Sequence, residues 1–299
     1  MTRWLITGAG GMLGRDLVSA LGQAGHDVTG LAHRDLDVTD QAAVHAAVHD
    51  HRPGIVVNCA AWTRVDDAET REAEALAVNG HGAAHVAAAC AGTGARLVQI
   101  SSDYVFGGDT RRPYTEADDP RPRTAYGRAK LAGEQAVRRQ LPGAGYVVRT
   151  AWLYGAHGPN FVRTIIRLER ERPTIDVVDD QLGQPTWTVD LAHGIIALER
   201  SQAAPGIYHA SSAGSVTWFG LAREIFTLLG ADPSRVSPIT TAQYPAPAPR
   251  PACSVLAHDT WSAASIAPLP HWQAALRRAF PDLLATQTDQ DPAPAAHPA

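Results

Sequence analysis

Cysteine is scarce in this 299-residue chain: Cys59, Cys90 and Cys253 stand far apart and no C-x-x-C pair occurs. That spacing argues against a disulfide framework and a thiolate zinc site, and it suits a reducing compartment. Excess positive charge is missing too. With 26 Lys and Arg against 30 Asp and Glu, the formal net charge is −4, so neither nucleic acid nor a membrane surface has a basic footprint to bind. No run approaches the roughly 20 apolar residues that cross a bilayer. The opening "MTRWLITGAG" also lacks the apolar core and small-residue cleavage site of a secretory leader. A cytoplasmic protein is expected. No internal repeat is present, and residues 286–299, "TQTDQDPAPAAHPA", offer almost nothing to bury and are expected to be disordered.

What the chain does have is a core-forming composition, 45% hydrophobic and 19% charged, typical of a soluble globular protein. Short β-branched runs at 3–8, 26–32, 54–60, 95–102 and 145–155 alternate with Ala-rich segments at 12–25, 40–51, 70–93 and 126–140. Such β-α alternation predicts an α/β fold, a Rossmann-type doubly wound parallel sheet with helices on both faces. Beyond residue 155 the pattern loosens into a helix near 161–172, a short run at 206–211, a helix over 217–230 and a Pro-rich stretch. The expected division is a dinucleotide-binding domain over 1–155 and a smaller, mainly substrate-binding lobe over 156–285, some of whose elements join the main sheet.

"ITGAGGMLGRDL" places Gly8, Gly11 and Gly14 between a strand and a helix. A tight turn there brings backbone N–H groups and the helix start, with Met12 and Leu13, against a pyrophosphate, an approach that Cβ atoms would block. An ordinary structural turn is the competing explanation. An acid about 20 residues after the glycines commonly holds the ribose 2′-OH of NAD. Here Ala32 takes that place and His33 and Arg34 follow it. A missing acid leaves room for a 2′-phosphate that basic groups would pair with, which favours NADPH, with NADH the alternative. Asp37 and Val38 are candidates at the adenine, and Ala60, Ala61 and Trp62 are candidates to line the cofactor.

Ser102 ends the run "LVQISS", and Tyr126-x-x-x-Lys130 opens the next helical segment 24 residues later. Strand C-termini face the ligand crevice of a doubly wound sheet, and i, i+4 spacing puts both side chains on one helical face. Reduction of a ketone creates an alkoxide that needs a proton. The Lys130 ammonium and the positive charge of an oxidised nicotinamide would together favour the Tyr126 phenolate and lower its pKa towards a useful range, and Ser102 would hydrogen-bond the carbonyl oxygen. The small Gly127 and Ala129 would let the helix sit close to the cofactor. Tyr126 and Lys130 could equally be two polar residues on a solvated helix face.

The glycine spacing resembles that of the extended short-chain dehydrogenase/reductases. "SSDYVFGG", "TAYGRAKLAGE", "VVRTAWLYG", "DDQLGQPTW", "GIYHASSAG" and "YPAPAPRPACSVL" together resemble the dTDP-4-dehydrorhamnose reductase family over residues 3–284. The resemblance implies a catalytic triad of Ser102, Tyr126 and Lys130, with Lys130 also on the nicotinamide ribose. It implies a dTDP-sugar substrate met by Ser102, Asp103, Tyr104 and Trp152, with Arg250 at the diphosphate. A related dTDP-4-keto-6-deoxysugar reductase and a non-catalytic dinucleotide-binding regulatory subunit are the alternatives. Some members of that family dimerise through a carboxylate-held metal. No such set is matched here, so no metal ligand is assigned, and Mg2+ and a homodimer stay open.

Overall fold

The computed structural model describes residues 2–288. In the first half, strands β1 (Arg3–Thr7), β2 (Asp27–Leu31), β3 (Ile55–Asn58), β4 (Arg96–Ser102) and β5 (Gly145–Thr150) alternate with helices. The helices are α1 (Met12–Gln23), α2 (Gln41–His51), α3 (Val65–Thr70), α4 (Glu72–Leu76), α5 (Ala83–Thr93) and α6 (Ala125–Gln140). In the second half come β6 (Leu153–Tyr154), α7 (Phe161–Glu171), β7 (Ile175–Val178), β8 (Leu182–Gly183), β9 (Thr186–Trp187) and α8 (Thr188–Arg200). They are followed by β10 (Gly206–His209), β11 (Val216–Thr217), α9 (Trp218–Leu228), β12 (Val236–Ile239), α10 (Asp259–Ala263) and α11 (Trp272–Thr288).

Six strands form one sheet in the order β10-β5-β4-β3-β1-β2, and every pairing is parallel. The order reverses between β1 and β3, so the crevice at their C-terminal ends is where a doubly wound sheet receives ligands. Side-chain alternation in the strands builds a core on each face. Leu5, Val56, Leu97 and Val147 pack under α2, α5 and α6, while Trp4, Ile6, Val57, Val98 and Val148 pack under α1 and α8. The second half is therefore not a separate layer, since β10 extends the sheet beside β5 and Leu191 and Ile195 of α8 lie in the core of the first half. Its own core joins α7, α9 and α11 around Ile166, Phe226 and Leu276, with β7 and β12 paired in parallel beside it.

Three expectations are corrected. The helix expected over 70–93 is interrupted, with a π-helical turn at Ala77–Gly82 between α4 and α5. The strand expected over 145–155 breaks after Thr150, because Trp152 takes the left-handed backbone conformation (φ 47°) and turns the chain from β5 into β6, which pairs with β9 instead of the main sheet. Residues 286–288, assigned to a disordered tail, close α11: buried Leu276, Ala279, Phe280 and Leu283 hold that helix to the lobe through Pro281. Residues 289–299 lie outside the described part of the chain.

Candidate active site

The glycine loop is dictated by contacts that exclude side chains. Gly8 has φ +64°, and a Cβ there would lie 2.5 Å from the Ala60 nitrogen; one on Gly14 would lie 2.4 Å from the Gly8 carbonyl oxygen. Gly11 is different. A Cβ there would meet only the Gly8 oxygen at 3.4 Å, and Gly11 is the N-cap of α1 with no side chain capping the helix. The start of α1, with Met12, Leu13 and Gly14, thus presents uncapped backbone N–H groups and the positive end of the helix dipole to an open cradle. These features fit a dinucleotide pyrophosphate.

At the end of β2, Ala32 lies against Gly10 and its N–H donates to an Asp35 carboxylate oxygen at 3.0 Å. Arg34 projects almost wholly into solvent, with Asp35 at 3.5 Å, and His33 is exposed beside it. Asp37 is exposed, and its carboxylate accepts from the Thr39 N–H and hydroxyl, which hold it below the usual carboxylate range. The Val38 side chain is buried in the core. At the tip of β3, Ala60, Ala61 and Trp62 are half-buried. The Trp62 backbone is pinned from both sides by one buried side chain, because Asn79 accepts from its N–H and donates to its carbonyl, each at 3.0 Å. Asn79 sits in the π-helical turn, a feature that re-aims a side chain out of the regular helical ladder. Below it, Thr7, Asn58 and Gln99 form a buried hydrogen-bonded line across β1, β3 and β4.

Ser102, Tyr126 and Lys130 converge at the tip of β4. Ser102 caps a short 3-10 turn by accepting from the Tyr104 N–H, and its hydroxyl donates to Asp103 at 2.9 Å. Thr124 caps α6 and so fixes where Tyr126 emerges, beside the Ser102 hydroxyl and edge-on to the Tyr104 ring. Lys130 is buried and donates to the Ile100 carbonyl at 2.6 Å. Burial pushes the Tyr126 phenol up to about 12 against the opposing effect of the Ser102 hydroxyl, and the nearby Asp103 adds to the rise. Among the protein's own groups burial dominates, and the Lys130 ammonium is engaged by the Ile100 carbonyl. Lys130 itself is pulled down to about 8 by burial, which Glu134 partly offsets. Asp103 is buried and raised to about 6 by desolvation, although the Ser254 and Ser102 hydroxyls act the other way. Gly127 is required to be small by the protein itself, since a Cβ there would lie 2.2 Å from the Tyr104 carbonyl oxygen.

Beside this centre a cleft of about 380 Å³ opens between the lobes, lined by Tyr104, Trp152, Trp218, Tyr244, Asp66 and Arg250 among others. The Trp152 indole stacks on Trp218 with centroids 3.4 Å apart. Arg250 reaches the cleft already engaged, making bidentate hydrogen bonds to Asp66 at 2.9 and 2.7 Å. A diphosphate at Arg250 would have to share that guanidinium.

Sequence reasoning missed Asn79, Asp66, Trp218, Glu134 and Arg149. Glu134 had a signal, because it continues the i, i+4 series of Tyr126 and Lys130. Lys130 carried a stronger one that went unused: it is the only lysine in the chain. Among the described residues no cluster of three or more His, Cys, Asp or Glu could hold a metal ion, and no helix is long and apolar enough to cross a membrane.

Comparison with known proteins adds to this geometry. The family model described as the RmlD substrate binding domain matches residues 2–285. A dTDP-4-dehydrorhamnose reductase of Streptomyces griseus is 56% identical over 94% of both chains. A dTDP-4-keto-6-deoxy-D-glucose reductase of Streptomyces niveus is 54% identical over 96% of this chain and 99% of its own. Among solved structures, a dTDP-4-dehydrorhamnose reductase of Bacillus anthracis in complex with NADP superposes with a TM-score of 0.90 at 40% identity, covering 94% of this chain and 99% of that one.

Proposed function

We propose a function from one premise: the chain belongs to the RmlD substrate binding domain family. We read it as an NADPH-dependent dTDP-4-dehydrorhamnose reductase, which reduces the C4 ketone of dTDP-4-dehydro-6-deoxy-L-mannose to dTDP-L-rhamnose. The observation that carries this reading is the meeting of Ser102, Tyr126 and Lys130 at the tip of β4, beside a cleft that holds Trp152 and Arg250.

When bound, a reduced nicotinamide would supply the hydride. Gly8, Gly11, Met12, Leu13 and Gly14 would hold its pyrophosphate, His33 and Arg34 the adenosine ribose side, and Asp37 with Val38 the adenine. Ala60, Ala61 and Trp62 would line the path to the nicotinamide, and Lys130 would hold its ribose. Tyr126 is protonated at neutral pH, the form that delivers a proton to the carbonyl oxygen. The Ser102 hydroxyl, now directed at Asp103, would turn to that oxygen and steady its developing charge. Asp103 and Tyr104 would face the sugar, Trp152 would pack on its ring, and Arg250 would share its fork between Asp66 and the diphosphate. The free thiols suit a cytoplasmic enzyme.

A related dTDP-4-keto-6-deoxysugar reductase is the second reading, favoured by the Streptomyces niveus relative at almost the same identity. A regulatory subunit is disfavoured, because Ser102, Tyr126 and Lys130 are all retained. One assay separates the three: purified protein with dTDP-4-dehydrorhamnose or dTDP-4-keto-6-deoxy-D-glucose, each with NADPH and NADH, followed by loss of reduced nicotinamide. Turnover of the first substrate is expected, and no oxidation with either would overturn the enzymatic readings. Ala32→Asp is expected to move the kcat/KM ratio towards NADH. An unchanged ratio would remove the argument for NADPH from the end of β2.

A further inference from the structure

The last three residues of β4 are matched, one each, to three successive turns of α6. Ser102 meets Tyr126, the Ile100 carbonyl takes Lys130, and the Ser101 hydroxyl donates to Glu134 at 2.5 Å. Glu134 is buried (2% exposed) and also accepts two hydrogen bonds from Arg149, at 2.9 and 2.7 Å. Arg149, itself 1% exposed, is paired in register with Ser101 on one side and His209 on the other. The carboxylate therefore ties the catalytic helix to two neighbouring strands at once.

From this geometry we infer that Glu134 is a positioning residue of the reaction centre: it fixes the depth of α6 against β4 and supplies the buried negative charge that balances Lys130. The inference rests on the reading of Lys130 as a working group of a reductase. The groups facing Lys130 leave no other anion to do this. Cys59, at the end of β3, is pushed up to about 12 by burial and is neutral. Tyr126 is neutral for the same reason, and Asp103 acts on Tyr126, with only Glu134 and Cys59 acting on Lys130. Beyond Glu134, His209 is held down to about 3 by burial and by Arg149, so it adds no positive charge. If Glu134 served only to neutralise Arg149, its loss would change stability and leave Lys130 as it was.

A single lysine makes the distinction measurable. Protein labelled with 13C at the lysine ε-carbon gives one side-chain signal, and its pH titration reads Lys130 directly. Glu134 opposes burial, so Glu134→Gln leaves burial unopposed. The titration is then expected at lower pH by on the order of one unit, and the basic limb of kcat should move with it, with activity near pH 8 lower by about fivefold at little change in KM. Glu134→Asp keeps the charge but is too short to reach Ser101 and Arg149 together. It should restore the titration while kcat stays partly reduced. Superimposable titrations of wild type and Glu134→Gln, or equal shifts in both variants, would overturn the inference. Should Glu134→Gln fail to fold, Ser101→Ala removes only the tie to β4, and a wild-type kcat in that variant would overturn the positioning role. If the wild-type protein turns over neither ketosugar, the reductase reading falls, and the lysine titration still judges Glu134.

Discussion

In the proposed reaction Tyr126 works through protonation, and its surroundings set the direction. With the phenol pushed up to about 12, the chain alone holds it as an acid, which suits ketone reduction. Tyr126→Phe is expected to lower kcat by about 10²–10⁴ while dinucleotide affinity, measured by fluorescence titration, stays near wild type. Asp103 carries a cost in the same place. Its folded pKa of about 6 lies above the ordinary aspartate value of 3.8, so the folded state holds the proton more tightly. Its stabilising share is present below the unfolded pKa and is lost as pH rises through about 6. Asp103→Asn should therefore raise stability at pH 7 by roughly 1–3 kcal/mol and flatten its pH dependence between 4 and 7, as read by urea unfolding, while slowing turnover. The candidate triad could be found in sequence because Ser, Tyr and Lys sit at informative spacings. The pairing of Arg250 with Asp66 was not legible in the sequence, because the two lie 184 residues apart and only the fold brings them together.

At the scale of elements, docking of α6 depends on missing side chains. A Cβ on Gly133 would lie 2.3 Å from the Asn79 carbonyl oxygen in the π-helical turn. Gly133→Ala should cost about 1–3 kcal/mol and weaken dinucleotide binding, since Asn79 holds the Trp62 backbone. Gly92 lies in α5 with nothing within 4 Å of its Cβ position. Gly92→Ala should instead stabilise by about 0.5–1 kcal/mol, and paired denaturation curves check both signs. Periodicity placed the longer helices of the first half and the main-sheet strands but missed the π turn, because inserting one residue per turn leaves an Ala-rich stretch looking helical throughout. The break at Trp152 was hidden in the same way. Val and Thr before it read as strand, and nothing local announces a left-handed aromatic.

At the scale of the molecule, a boundary near residue 155 does not divide the folding unit, because the second half completes the sheet and core of the first. Removing 156–299 takes away β10 and the α8 side chains that complete the core over β1 and β3. A 1–155 fragment is expected to lack a cooperative thermal transition by circular dichroism, where the whole chain melts in one step. Doubly wound topology was readable from β-α alternation. Return of the chain to the sheet through β10 was only suggested, because a four-residue strand carries little periodic signal. Burial of Lys130 has one last consequence. A protease that cuts only after lysine has a single bond to attack, leaving pieces of 130 and 169 residues, and that bond lies inside α6. Cleavage must wait until α6 leaves the sheet, so a two-band gel becomes a clock for opening of that helix, and it should slow when dinucleotide is added.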